Sequence, residues 1–198
     1  MEEVREGIWR WEAHHPSWSE DDGGPDGWGP DVACFAIDTG ARLVLIDPLA
    51  VPVQVDELAA GRETAIVLTC PWHERDARQV SERLGARIFV PPPDEGDENR
   101  TPGTVFAAGD RPTGDVQALL GLEPNDLVLW IESRRALVLG DTLVDRGEGL
   151  EIPVTWLRDA TLGEVLATLR PLLDLPVEIV LPTHGPPADR AALVRAIS

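Results

Sequence analysis

Three short apolar runs constrain this chain more than any other feature: TAIVLT (64–69), ALVLG (136–140) and EIVLP (178–182). Each is continuous rather than alternating and too short for a helix, so each reads as a strand buried on both faces. A helical pattern follows the first of them. RDARQVSERLG places Ala77, Val80 and Leu84 on one face and Gly85 at the C-terminal stop. Strands alternating with helices indicate sheets covered by helices. Each run also ends in, or just before, a residue able to bind a metal: His73, Asp141 and His184. Sites gather at such strand ends, where loops are held by a rigid scaffold.

The remaining elements fit the same plan. VACFAIDTGARLVLIDP reads as a hairpin turning at Asp38-Thr39-Gly40 and ending at Asp47-Pro48. DLVLWIESRRALVLGD reads as a second hairpin turning at Ser133-Arg134-Arg135. RIFV (87–90) is a further strand. Thr161 and Glu164 form a capping box for a helix carrying Leu162, Val165, Leu166 and Leu169, which Pro171 ends or kinks. Residues 189–197 form a closing helix. WRWEAHHPSW is a short strand feeding a loop, and EDDGGPDGWGP is a mobile surface segment. The expected organisation is one domain over 1–198 built from two similar halves, about 1–90 and 104–198, joined by the polar connection 91–103.

Composition removes whole classes of chemistry. All 17 basic residues are arginine, and lysine and tyrosine are absent. This excludes a Schiff base, a pyridoxal-phosphate lysine, a phosphate-loop lysine and a tyrosine nucleophile. No G-x-S-x-G occurs, which argues against a serine hydrolase. A net charge of −18 disfavours nucleic acid and anionic membranes as partners, because both need a cationic face. A small-molecule substrate or ligand is the expected partner. Without an apolar leader or spanning stretch, the expected compartment is the cytoplasm. Cys34 and Cys70 are too few for a disulfide scaffold and read as buried thiols.

Two imidazoles and one carboxylate suit Zn(II), Fe(II) or Mn(II), with coordination positions left open for water and substrate. Taken singly, each residue has a plainer reading. His73 alone is a loop histidine, Asp141 alone a turn former, and THGPP (183–187) alone a chain reversal. Their shared context at three buried strand ends is what sets them apart. Trp72 either lines the pocket or covers the core. The tryptophan-rich segment bearing His14 and His15 either walls the pocket, with His15 against it, or packs over a sheet edge with its histidines in solvent.

With these segments in hand, the chain resembles the metallo-β-lactamase fold superfamily over nearly its whole length. CFAIDTGARLVLIDP resembles that family's opening hairpin, and LTCPWHERDA sits where its H-x-H-x-D-H loop belongs. LVLGDTL resembles the strand of its bridging aspartate, and LPTHGPP its last histidine loop. The resemblance implies an α+β fold, a four-layer αβ/βα sandwich with the site along one edge of its two sheets. It also implies that Asp47 holds loops by hydrogen bonds.

The motif departs from the family's. With His73 on the second histidine of the loop, Pro71 falls on the first, Arg75 on the aspartate and Asp76 on the last histidine. Sliding by one residue puts Cys70 and Trp72 on the two histidines. The family's middle histidine, in a GHTPG-like stretch, is expected in AGDRPTGDV (108–116), which has none. The expected centre is therefore one divalent metal, or none, with His73, Asp141 and His184 as ligands and Asp76 as a fourth. In the family's two-metal arrangement His73 and His184 would belong to different metals bridged by Asp141, so a single ion needs them to converge. Asp141 would bind the metal and orient its water, while Arg75 would stabilise the developing anion. The expected activity is metal-dependent hydrolysis of an ester-like, thioester, lactone or phosphoester bond. Its rival is a non-catalytic protein of the same fold that binds a small molecule or a partner in the old cleft.

Overall fold

The computed structural model describes residues 1–94, 96 and 101–198, so part of the connection at 91–103 lies outside the described residues. Two main sheets pack face to face. The first runs in sequence order: β1 (Glu2–Arg5), β2 (Ile8–His14), β3 (Asp31–Asp38), β4 (Leu43–Ile46), β5 (Thr64–Val67), β6 (Arg87–Val90) and β7 (Thr104–Val105). Pairing is antiparallel from β1 to β4 and parallel from β4 to β7. The second has the order β13 (Ile179–Leu181), β10 (Ala136–Val138), β9 (Leu127–Ile131), β8 (Val116–Leu120), with only the β13–β10 pair parallel. A two-stranded ribbon joins β11 (Val144–Asp145) to β12 (Leu150–Glu151).

The alternation of side chains along each strand explains the layering. From β3, Ala33, Phe35 and Ile37 enter the core between the sheets, where Leu127, Leu129 and Ile131 of β9 meet them. The intervening Val32, Cys34 and Ala36 point to the opposite face, under α1 (Gln54–Ala59) and α2 (Ala77–Leu84). Val128 and Trp130 likewise face α3 (Leu162–Leu169) and α4 (Arg190–Ile197). The result is the αβ/βα sandwich that the family resemblance implied. No helix among the described residues is long and apolar enough to cross a membrane.

Local signals behave as expected where they are strong. Gly85 caps α2 with φ 64°, and the Thr161–Glu164 capping box starts α3. Three features differ. The short helix α1 carries no sequence signal, because Val53 at its N-cap makes no side-chain bond and Val55 is its one buried residue. Thr104–Val105 pairs with β6 in the first sheet. The Gly/Pro/Asp-rich segment expected to be mobile is instead a fastened loop. Trp18 Nε1 donates to Trp28 O at 2.9 Å, Arg146 Nε to Gly27 O at 2.8 Å and Trp156 Nε1 to Asp26 O at 3.0 Å. Gly27 is required there, since a Cβ would lie 2.0 Å from the carbonyl oxygen of Asp22.

Energetically the inter-sheet core dominates over the helix caps. Leu129→Ala, at a fully buried position between the sheets, should cost about 2–5 kcal/mol. Thr161→Ala, which removes the α3 cap, should cost about 1 kcal/mol. Urea unfolding of the two variants checks the ranking, and a larger loss at Thr161 would contradict it.

Candidate metal centre

The site begins with Asp47, a fully buried carboxylate at the end of β4 in left-handed backbone, φ 46°. Its Oδ1 accepts from Thr69 N at 2.9 Å and its Oδ2 from Thr69 Oγ1 at 2.6 Å. His73 Nδ1 lies 3.1 Å from the same Oδ2 and 3.0 Å from Thr69 Oγ1. Because the hydroxyl gives its proton to the carboxylate, Nδ1 of His73 carries the hydrogen that these oxygens share. Burial opposes ionisation of Asp47, but His73 and its other partners hold its pKa below the ordinary value. Two backbone bonds tie the sheets together at this edge, Leu127 N to Thr69 O and Ala33 N to Thr183 O, each 2.8 Å.

With Nδ1 spent, His73 turns Nε2 toward Asp141. Asp141 follows β10, and Gly140 makes that turn at φ 53° in a space where a Cβ would press within 2.8 Å of Asp126 Oδ1. Asp141 Oδ1 stands 3.4 Å from His73 Nε2 and 3.3 Å from His184 Nε2. It is buried and has no hydrogen-bond partner. Asp141 Oδ2 accepts from Trp72 Nε1 at 2.8 Å. A charge-assisted N–H···O bond is shorter, about 2.7–2.9 Å. The observed separations instead match ligand-to-ligand distances around a tetrahedral ion, roughly 3.3–3.7 Å for bonds of about 2.0–2.3 Å. A ring nitrogen with a lone pair facing a carboxylate oxygen needs a cation between them, either a proton or a metal.

The electrostatics describe the proton case. Burial works against a charged His73, but Asp141 and Asp47 outweigh it and raise the pKa to about 9. Asp141 is likewise opposed by burial, yet His73 and His184 hold it well below its ordinary value. His184 sits between the tryptophan edges of Trp28 and Trp156, with ring centroids 5.5 and 5.7 Å away, and its buried Nδ1 has no hydrogen-bond partner.

The three predicted ligands therefore converge on one carboxylate oxygen. The other predicted residues are placed as follows. Asp76 does not join them: its Oδ2 accepts from Ala50 N at 2.7 Å and fastens the loop after β4. Arg75 borders the cleft, but its NH1 donates to the backbone oxygens of Asp47 at 2.8 Å and Ala33 at 3.2 Å. It thereby clips β3 to β4 through carbonyls, and its buried Nε has no partner. Trp72 and His15 both line the cleft, a hollow of about 390 Å³ completed by Trp28, Val32 and Trp156. His15 packs edge-on against Trp28 at 5.1 Å, and burial first, then Arg75, lowers its pKa. A second hollow of about 540 Å³ shares Trp28, Trp156 and His184.

The expected place of the middle histidine is corrected. The segment AGDRPTGDV precedes β8, and its Asp115 pairs with Arg42 on the turn between β3 and β4. The loop that reaches Asp141 lies between β8 and β9 and reads GLEPND (121–126). Leu122 N donates to Thr142 Oγ1 at 3.3 Å, and Asp141 N approaches Asp126 Oδ1 at 3.4 Å. The spacing G-x-x-P matches the family's GHTPG-like stretch and was the signal available in the sequence. By that spacing Leu122 falls where the stretch has its histidine, and its side chain is apolar. Two further residues lie beside this network. Asp126 is a buried carboxyl whose pKa is raised to about 8, by burial first and then by the charge of Asp141. Cys70, expected to be a structural thiol, forms a group with His73 and Asp141 in which one ligand atom of each lies within 4.8 Å of the others. It is buried and free, as is Cys34.

Comparison with known proteins agrees with this geometry. The Metallo-beta-lactamase superfamily profile matches residues 61–184, and the chain belongs to that superfamily. It is similar to TTHA1623, solved in a di-iron-bound form, with 25% identity and a TM-score of 0.63 over 88% of this chain and 96% of that one. It shares the fold of a metallo-beta-lactamase from Hirschia baltica, at 18% identity and a TM-score of 0.64 over 97% of this chain and 93% of that one. The DIM-1 metallo-beta-lactamase also shares it, at 14% identity and a TM-score of 0.68, covering 98% and 92%. No curated protein matches the chain.

The network makes a prediction for the metal-free protein. The His73 ring should titrate near 9 and His15 below 6.5, read from the pH dependence of their ring-proton NMR shifts. The folded value for His73 exceeds the unfolded one of about 6.5. Its contribution to stability is therefore fully present below about pH 6.5 and is lost as the pH rises through about 9. A His73 titrating below 6.5 would contradict the network.

Proposed function

We propose that the protein is a metal-dependent hydrolase of small molecules with a single divalent ion at His73 and Asp141, and His184 on the far side of the same carboxylate oxygen. Superfamily membership supports metal-dependent hydrolysis as the class of activity. The observation that carries the specific reading is Asp141 Oδ1: buried, without a hydrogen-bond partner, and 3.3–3.4 Å from two imidazole nitrogens. These donors fit a bound metal better than they fit one another.

A bound divalent cation would lower the pKa of its water and polarise the substrate's oxygen. The remaining work belongs to the chain. Asp47 and Thr69 fix the His73 ring so that Nε2 faces the cleft, which is the usual role of an outer carboxylate behind a histidine ligand. Trp72 pins Asp141 Oδ2, leaving Oδ1 directed at the two rings. His184 lines both hollows, where its ring can orient a polar group of the substrate. Trp28, Trp72 and Trp156 give the cleft apolar walls that suit an ester-like, thioester, lactone or phosphoester substrate with a flat apolar group beside the reacting bond. Zn(II) suits the histidine–carboxylate set, as do Fe(II) and Mn(II). The net charge of −18 supports a small-molecule partner over nucleic acid.

One observation favours a second reading, a ligand-binding protein without turnover. One nitrogen of the Arg75 guanidinium is already engaged by two backbone carbonyls, which leaves fewer of its N–H groups for a developing anion.

Elemental analysis of protein loaded with Zn(II), Fe(II) or Mn(II) and then desalted, together with assays on chromogenic esters, thioesters, lactones and phosphoesters, tests both readings. We expect about one ion per chain, lost in Asp141→Ala and retained in Cys34→Ala, with hydrolysis following the ion. One ion without turnover of any substrate class favours the binding protein. Two ions per chain, or none, would contradict the proposed centre.

A further inference from the structure

We infer that Cys70 is a metal ligand, a thiolate that completes a sulfur–nitrogen–oxygen set with His73 and Asp141 and directs the site toward thiophilic ions such as Zn(II), Co(II) and Cd(II). The inference rests on the single-metal reading above and specifies its third donor and its choice of ion.

Three observations carry it. First, one ligand atom from each of Cys70, His73 and Asp141 lies within 4.8 Å of the other two, whereas His184 stands outside that trio. Closing the trio from at most 4.8 Å to the edges of a tetrahedral site, roughly 3.3–3.7 Å, takes no more than about 1.5 Å of relative side-chain movement. Second, Asp141 Oδ1 is buried, makes no hydrogen bond of good geometry and lies 3.4 Å from His73 Nε2 as an ion-pair contact, so one edge of the site is already at ligand spacing. Third, the Cys70 sulfur has no strong partner competing for it. Its neighbour Thr69 Oγ1 is 3.7 Å away and already gives its proton to Asp47 Oδ2.

The backbone explains why a cysteine can serve here. Cys70 follows β5 in extended conformation, φ −148°, and heads the turn Pro71–His73. That turn carries the chain from the sulfur to the imidazole within four residues, so both donors sit on one rigid corner of the first sheet. Asp141 faces them from the second sheet, and the Leu127 N–Thr69 O bond holds the two sheets together next to Cys70.

Without a metal the thiol stays protonated. Burial first, then the carboxylates of Asp141, Asp126 and Asp47, push its pKa well above the ordinary value. A divalent cation reverses that balance, because coordination replaces the thiol proton and the ionised Asp141 then offsets part of the ion's charge. The S–H bond of Cys70 and the Nε2–H bond of a protonated His73 break, metal–sulfur and metal–nitrogen bonds form, and both protons leave to solvent, so metal uptake releases acid. Hard ions such as Mn(II) and Mg(II) gain little from a thiolate.

X-ray absorption at the zinc edge of the Zn(II)-loaded full chain tests the assignment without any variant. We expect one sulfur scatterer at about 2.3 Å beside nitrogen and oxygen at about 2.0–2.2 Å. The same protein loaded with Co(II) should show a thiolate-to-metal absorption band in the near ultraviolet. Cys34→Ala keeps that band, while Cys70→Ser loses it and binds Zn(II) at least about tenfold more weakly. Zinc bound by nitrogen and oxygen alone would overturn the role of Cys70 and leave the single-metal centre standing. No bound zinc under saturating conditions would overturn both.

Discussion

The arrangement depends on one buried carboxylate. Asp47 ends β4 with no exposed surface, and an ionised group in that position is tolerated only with compensating partners. Thr69 supplies two hydrogen bonds and His73 a third, so the need to satisfy Asp47 fixes the end of β5 and the orientation of the imidazole together. Its own carbonyl accepts from Arg75, which draws the following turn against β3 and β4. Once His73 is fixed in this way, Nε2 faces the cleft. The position of Asp141 across the sheet junction then becomes a question of what cation lies between them.

The two sheets share an apolar core that contains none of the candidate metal ligands. The core between the sheets is continuous from Ile8 to Leu181. Leu122, at the position of the middle histidine, belongs to the apolar layer under the helices of the second sheet. Arg75 lines the cleft and also donates to carbonyls at two neighbouring strands. What remains is a compact set on one side of Asp141 and a tryptophan-walled cleft around His184. The N-terminal loop belongs to the site as much as the strands do, since Trp28 reaches His184 and the loop is fastened through Trp18, Arg146 and Trp156.

Much of the fold was legible because its signals are short-range. The apolar runs at 64–69, 136–140 and 178–182, the two hairpin turns, Gly85 and the Thr161–Glu164 box all act through local backbone preference or burial, and each appears where expected. Helix α1 was not legible, because it buries one residue and has no side-chain cap. In the site, the placement of His73, Asp141 and His184 along one cleft was legible from strand ends, although His184 stands outside the group that His73 and Asp141 form. Three features depended on contacts distant in sequence. Asp76 turned to Ala50 N, Arg75 to two carbonyls, and Cys70 gained its neighbours only when the two sheets met. The GLEPND loop was overlooked for a different reason: with leucine at the ligand position, only its glycine and proline remained to mark it.

The central claim is that the space beside Asp141 Oδ1 is a metal position and not a histidine–carboxylate ion pair. Anomalous diffraction from crystals of the Zn(II)-loaded protein addresses it directly. The account predicts one anomalous peak per chain, at bonding distance of about 2.0–2.2 Å from both Asp141 Oδ1 and His73 Nε2. Full zinc occupancy elsewhere on the chain, with the His73–Asp141 contact unchanged and no density between the two atoms, would contradict it.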